Sequence, residues 1–361
     1  MPTFFFRSDM TGAPTNTNAA GSTLEIIRSC LVTGFNLKSV VSASVASEVM
    51  TLTYAAPHGY EDKVWLRLDG AAGGSIVQRV TTTAGASTLT IPAPGFADGA
   101  VAGTLSTRVA PADWEEVFTG TLKAVFRSKV EGPASTRFFY RVSDVASGSS
   151  TARFRGFESM SDVDTGIGPF PTVAQESGEG INILRADGAT ARPWCVIADG
   201  RTFYVFLGYN STPLGAARAW GDMKPYGPSD LFCAFTLGGS SSYGYLANSN
   251  SAHYVPRVAA GTGAAQTGTK RSIFTLSGEI HAYPSPIDGG MVFYRPVLVN
   301  EGAVIRGEVR GLISCSAPPI PSGQLFTIMQ SVPGVVGRLC VVRDSGGVAG
   351  CVAFPIDEEW A

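Results

Sequence analysis

Apolar and polar residues alternate with a period of two along most of this chain, and one segment stands out by following the helical period. In 22–33, Leu24, Ile27 and Leu31, with Ile26 and Cys30 beside them, lay an apolar stripe along one side of a helix. Ser22-Thr23-Leu24-Glu25 has the spacing of a capping box, in which serine and glutamate side chains satisfy free backbone N–H groups. Gly34 supplies the stop. The pattern predicts one short N-terminal helix packed on a sheet. Trp114 and Phe118, four residues apart, predict a second short helical stretch.

Elsewhere the period is that of strands. Phe4 to Phe6 read as a short buried strand. Segments 49–54, 64–70, 75–80 and 88–91 are short and separated by Thr, Ala and Gly turns, the spacing of a small barrel or sandwich. Longer strands are expected at 122–127, 138–142 and 152–157, then at 195–198 and 202–209, with Asp199-Gly200 as a hairpin turn of positive φ. Further strands are expected at 232–237, 272–276, 291–299, 303–313, 324–330, 337–343 and 349–354. Turns are read at Asp288-Gly289-Gly290 and Ser345-Gly346-Gly347, and Pro318, Pro319 and Pro321 exclude a central strand there. The fold class is therefore mainly β, with β-sandwich or barrel modules and one short N-terminal helix packed on a sheet. Residues 1–35 plus 110–180 form an N-terminal docking domain, 36–109 an inserted small β module, and 181–361 a C-terminal β domain.

Composition narrows the function classes. Charged residues are 16% of the chain, against roughly 25% in ordinary soluble domains. The net charge of −2 lacks the basic footprint of a nucleic-acid binder. No apolar run reaches the roughly 18 residues of a membrane span, and the first residues lack the basic and apolar regions of a signal peptide. The six cysteines form no CxxC and several lie in apolar strands, so they read as reduced, buried side chains of a protein folded in a cytoplasm. Arginine outnumbers lysine by 21 to 6, and its planar fork suits buried and interfacial pairs, which predicts many arginines at subunit contacts.

Candidate chemistry is sparse. His58 lies in a turn, His253 precedes Tyr254, and His281 shares a strand face with Glu279 without a third ligand. Gly263 to Lys270 misses the register of a phosphate loop by one residue. Asp162 and Asp164 begin a calcium-loop pattern that the following glycine and Val173 do not continue. Glu158, Asp162 and Asp164 also offer a carboxylate pair for a glycosidase, although common turn chemistry accounts for them. Phe203, Tyr204, Phe206 and Tyr209 could form an aromatic platform, but strand alternation puts most of them in the core. No catalytic, cofactor-binding or metal-binding residue is assigned. The contact candidates are Tyr226, Tyr243, Tyr245, Asn248 and Asn250, in loops rich in Gly and Ser.

Several phrases of the sequence resemble a largely uncharacterised family of structural proteins of tailed double-stranded DNA phages and prophages of proteobacteria. They are Asp9-Met10-Thr11-Gly12-Ala13-Pro14 and the run from Gly21 to Asn36, and Pro57-His58-Gly59-Tyr60 before a strand. Arg155 to Pro171, Arg192-Pro193-Trp194 with Asp199 to Tyr204, Ile305 to Leu312, and the ending at Pro355-Ile356-Asp357 are similar too. The resemblance implies a non-enzymatic, multi-copy virion protein of the tail tip or baseplate, assembled in the host bacterial cytoplasm. Its partners would be other phage virion proteins and copies of itself in a ring or trimer, with no nucleic acid and no membrane insertion. The alternatives are a fibre, spike or head-decoration protein contacting the host surface, and a tail-associated polysaccharide hydrolase acting through Glu158, Asp162 or Asp164.

Overall fold

Strands Trp194–Ala198 and Thr202–Leu207 are apolar at nearly every position because both faces of their sheet are covered. The structure, a computed structural model, describes residues 2–209 apart from 72–73, 84, 146–150 and 177. Beyond 209 it describes 214, 218–227, 230–238, 252–256, 266–272, 289–291, 293–294, 297–301, 304–315, 324–328, 335–343 and 351–360. The described residues are mainly β, all ladders are antiparallel, and no sheet among them closes into a barrel.

The ten-stranded sheet is the middle layer. It begins at the edge strand Phe4–Arg7 and runs through Trp194–Ala198, Thr202–Leu207, Arg218–Asp222 and Ala234–Leu237. On one side lies a six-stranded sheet built from Trp114–Gly120, Lys123–Ser128, Phe139–Ser143, Thr151–Met160, Gly166–Phe170 and Ile181–Leu184. Aromatic rings join the two layers. Trp114 meets Phe203 edge to face at 5.1 Å, and Phe154 stacks on Trp220 at 4.2 Å. On the other side, Tyr204 and Phe206 turn the opposite way and pack on Phe354 at 4.7 and 5.9 Å. Phe354 belongs to Cys351–Pro355, in a five-stranded sheet with Ile313–Cys315 and Leu339–Arg343. Phe203, Tyr204 and Phe206 of the candidate aromatic platform are thus core, shared between two interfaces, and Tyr209 is half-buried.

Strands between 35 and 109 pair only with one another, in two four-stranded sheets. Leu66 and Leu68 of Trp65–Ala71 are buried, as are Met50 and Leu52 of Val49–Thr53 and Leu89 and Ile91 of Thr88–Pro92. Their exposed neighbours give the clean alternation of sheets buried on one face.

The N-terminal helix covers the predicted 22–33, but it changes its winding and is capped differently than its sequence predicts. It spans Ser22–Arg28 and widens into a π turn over Ser29–Thr33, where Gly34 N–H donates to the Ser29 carbonyl at 2.9 Å. Gly34 takes φ +70°, and a Cβ there would stand 2.2 Å from the Val109 carbonyl, so glycine is required. The capping box does not form. Ser22 instead donates to the Thr15 carbonyl and accepts from Thr17 N–H, each at 2.9 Å. The fully buried Asp144 takes the N-terminal donors, accepting from Thr23 and Leu24 N–H at 2.8 and 3.1 Å, and its other oxygen binds Arg185.

Two further expectations are corrected. Trp114 and Phe118 lie in the strand Trp114–Gly120, because a spacing of four also fits the strand period. A register shift between Glu116 and Phe118 then leaves Trp114 buried and Phe118 stacked on Phe139. The hairpin turn has three residues, 199–201, and is closed by the Asp199 carboxylate, which accepts from Arg201 and Thr202 N–H at 2.8 and 2.7 Å.

Replacing Asp144 by Asn leaves Arg185 buried without a counter-charge and weakens the helix cap. The expected cost is about 3–5 kcal/mol, read as a fall in the urea midpoint. A loss below about 1 kcal/mol would contradict this account of the cap.

Candidate functional site

Of the five contact residues expected from the sequence, Tyr226 is described and Tyr243, Tyr245, Asn248 and Asn250 lie outside the described residues. Tyr226 follows the short strand Lys224–Pro225, which pairs with the end of Val304–Glu308 through Lys224↔Glu308 and Pro225↔Gly307. Its N–H donates to the Arg306 carbonyl at 2.9 Å. The Arg306 side chain then fastens the next loop. Its guanidinium binds both oxygens of Asp230 at 2.8 Å and donates to the carbonyls of Phe232 and Pro256 at 2.9 Å. Asp230 in turn accepts from Phe232 N–H at 2.9 Å, which fixes the turn that carries Leu231.

This clamp holds apolar side chains out in solvent. Leu231 is 77% exposed, Tyr226 49% and Ile305 45%, on three segments gathered around one arginine. An exposed leucine on a loose loop would be unremarkable, whereas a bidentate ion pair fixes this one in place. Phe232, on the inner side, packs on Phe138, the residue before strand Phe139–Ser143, with centroids 6.0 Å apart. The platform is therefore tied to the core. Tyr226 was legible as an exposed aromatic among turn residues, but Leu231 and Ile305 were not, because the partner that gathers them is 76 residues away from Asp230.

The candidate carboxylates have other local partners. The Asp162 carboxylate accepts from Asp164 and Thr165 N–H at 2.8 Å, and these bonds hold its pKa below the usual range, opposite to what a catalytic acid needs. Asp164 pairs with Lys123 at 2.7 Å, and Lys123 also reaches Glu179 at 3.2 Å. Burial pushes Glu179 up, but Arg141 at 3.2 Å and Lys123 more than reverse this and keep it ionised. The Glu158 side chain packs against Gly168 of the neighbouring strand. The three carboxylates are distributed over a turn, an ion-pair cluster and a strand.

The described arginines are extensively engaged by groups of their own chain. Most described arginines donate within the chain: Arg28 forks onto Glu116 at 2.8 and 2.9 Å, Arg310 binds Asp199 at 2.7 Å, and Arg338 binds Asp357 at 2.9 Å. Buried Arg218 and Arg155 donate to the carbonyls of Asn182 and Glu176 at 2.7 and 2.6 Å. The planar fork is thus used for bidentate and buried pairing within the chain.

His58 is wholly buried inside the 35–109 sheets. Its Nδ1 accepts from Tyr60 N–H at 2.9 Å, so the proton sits on Nε2, 3.0 Å from Thr82 Oγ1. The ring stacks on Tyr60 and meets Tyr54 edge-on, with centroids 5.3 and 5.4 Å away. His281 and Glu279 lie outside the described residues.

Comparison with family models, with characterised proteins and with solved structures finds no match. The assignment of a role therefore rests on the residues themselves.

Burial pushes the His58 pKa below its ordinary value of 6.5. The unfolded chain then takes up the proton first, so the stability held by neutral His58 is present above about pH 6.5 and is lost as pH falls through the folded value. Thermal unfolding near pH 7.5 and near pH 5 should show a larger acid-induced drop in the native chain than in a His58→Asn variant. Equal drops in the two proteins would refute this protonation scheme.

Proposed function

We propose that this chain is a structural protein of a tailed double-stranded DNA phage particle, present in several copies near the tail tip or baseplate. It acts by docking onto neighbouring subunits, with no bond made or broken. The observation that carries this reading is the Arg306 platform, where Tyr226, Leu231 and Ile305 stand exposed on segments pinned to the core. Rigid apolar groups held in solvent are the anchors of protein interfaces, since little entropy is lost when they are covered. The low charge density fits the same use, because interface centres are depleted of charge. The phage-like phrases in 9–36, 155–171 and 305–312 are the support for a phage particle as the assembly, and Ile305 and Arg306 lie within the last of them. The partners are then copies of this chain in a ring or trimer and other virion proteins, and the protein resides in the virion after assembly in the host bacterial cytoplasm.

Mass spectrometry of purified particles from a strain that carries this sequence should detect the chain at multi-copy abundance. Its absence from particles would overturn the virion reading. In the purified protein, Leu231→Glu should shift the mass measured by light scattering from an assembly to the monomer while leaving the unfolding temperature within a few degrees. An assembly unchanged by Leu231→Glu would remove the platform from the interface.

A further inference from the structure

A cleft of about 790 Å³ opens where the chain's beginning, its 35–109 sheets and its end meet, within the usual size of a small-ligand site. Its floor is Trp65, half-buried and held at fixed orientation by an Nε1–H bond to the Thr3 carbonyl at 2.9 Å. Phe4 packs beside the indole at 5.9 Å, and the Arg79 guanidinium lies over the ring at 5.8 Å. Val77, 40% exposed, extends the apolar strip along the edge strand Gly74–Arg79.

Much of the polar wall is paired off; Glu358, which accepts from Val336 N–H at 2.9 Å, and Glu359 line it as well. Arg79 and Arg338 both bind Asp357, Lys129 binds Asp113 at 2.8 Å, and Arg67 binds Asp69 at 2.7 Å. Ser75 donates to the same Asp69 oxygen at 2.6 Å. Desolvation alone would raise the Asp357 carboxyl, yet the two guanidinium groups hold it down at about 2, so this pair stays ionised across the physiological range. An anion or cation entering the cleft would have to break an existing pair. A ligand with hydroxyl groups would not, because each hydroxyl both donates and accepts and can bridge a cation and its carboxylate. An apolar strip beside neutralised donor–acceptor pairs is the complement of a sugar ring, which has C–H faces and hydroxyl edges.

We propose that this cleft binds an uncharged saccharide, with Trp65 and Val77 under the ring and the Lys129–Asp113 and Arg67–Asp69–Ser75 groups at its hydroxyls. The cleft is separate from the Arg306 platform, and the proposal stands whether or not the chain belongs to a virion.

The full chain should be screened on an array of bacterial surface oligosaccharides covering neutral, acidic and basic sugars, and the strongest hit titrated by tryptophan fluorescence. Hits should concentrate among uncharged glycans. Val77→Arg, which fills the cleft from an exposed position, should weaken the hit roughly tenfold or more, while Val49→Arg, exposed elsewhere on the same sheets, should leave it unchanged. An array without hits, hits confined to charged glycans, or equal binding by Val77→Arg would each overturn the proposal.

Discussion

Buried aspartates paired with distant arginines hold this molecule's layers in register. Asp199 is fully buried at the junction of all three layers. One of its oxygens closes the turn between the two central strands, the other binds Arg310, and its carbonyl accepts from the Trp114 indole at 2.9 Å. Arg310 also donates to the Trp360 carbonyl at 2.9 Å, so a single residue, through its carboxylate and its main-chain carbonyl, ties the middle sheet to both outer layers. Asp144 does the same for the helix, joining its first turn to Arg185 at the end of the six-stranded sheet. Removing such charges from water costs several kcal/mol each, and only complete satisfaction offsets that. Burial pushes the Asp144 carboxyl up in spite of these partners, and Asp222 carries the same cost. Among the described residues no arginine is in hydrogen-bonding contact with Asp222; it accepts from Thr136 Oγ1 at 2.6 Å and is pushed up to about 6 by desolvation.

The three-layer arrangement explains which parts of the fold were legible in the sequence. Strands buried on one face, such as Val49–Thr53 and Thr88–Pro92, betray themselves by alternation. The central strands do not alternate, and Thr202–Leu207 was legible through β-branched and aromatic content and its flanking turn instead. Trp114 and Phe118 misled because a spacing of four is common to both periods, and the bulge between them leaves no trace in composition. The helix was legible from its apolar stripe, but its cap was not. Ser22 and Glu25 satisfy a local pattern, yet Ser22 bonds to Thr15 and Thr17 instead, and a carboxylate brought by tertiary structure from 121 residues away caps the Thr23 and Leu24 N–H groups.

The candidate surface was less legible than the fold, for a related reason. Tyr226 announces itself in a loop of Gly and Pro, but its significance depends on Arg306, which the sequence presents as one arginine among 21. The excess of arginine over lysine carried real information about burial and bidentate pairing. What composition could not give was the direction of the forks. Long-range pairs such as Asp199 with Arg310 exist only once strands far apart in sequence have been laid side by side.

That inward direction shapes what the surface can recognise. With few charged residues in the chain and most arginines closed on internal carboxylates, the surface around the platform and the cleft has little net field to steer a partner from afar. Recognition must then come from short-range fit, in which rigidity matters because flexible contacts lose entropy on binding. The Arg306 clamp and the Trp65–Thr3 bond both supply that rigidity, one beneath exposed aliphatic and aromatic groups and the other beneath a neutralised cleft. The internal ion pairs thus do two things at once. They fix the layers, and they leave outside a surface on which the proposed contacts would rest on shape and hydrogen bonding more than on long-range charge.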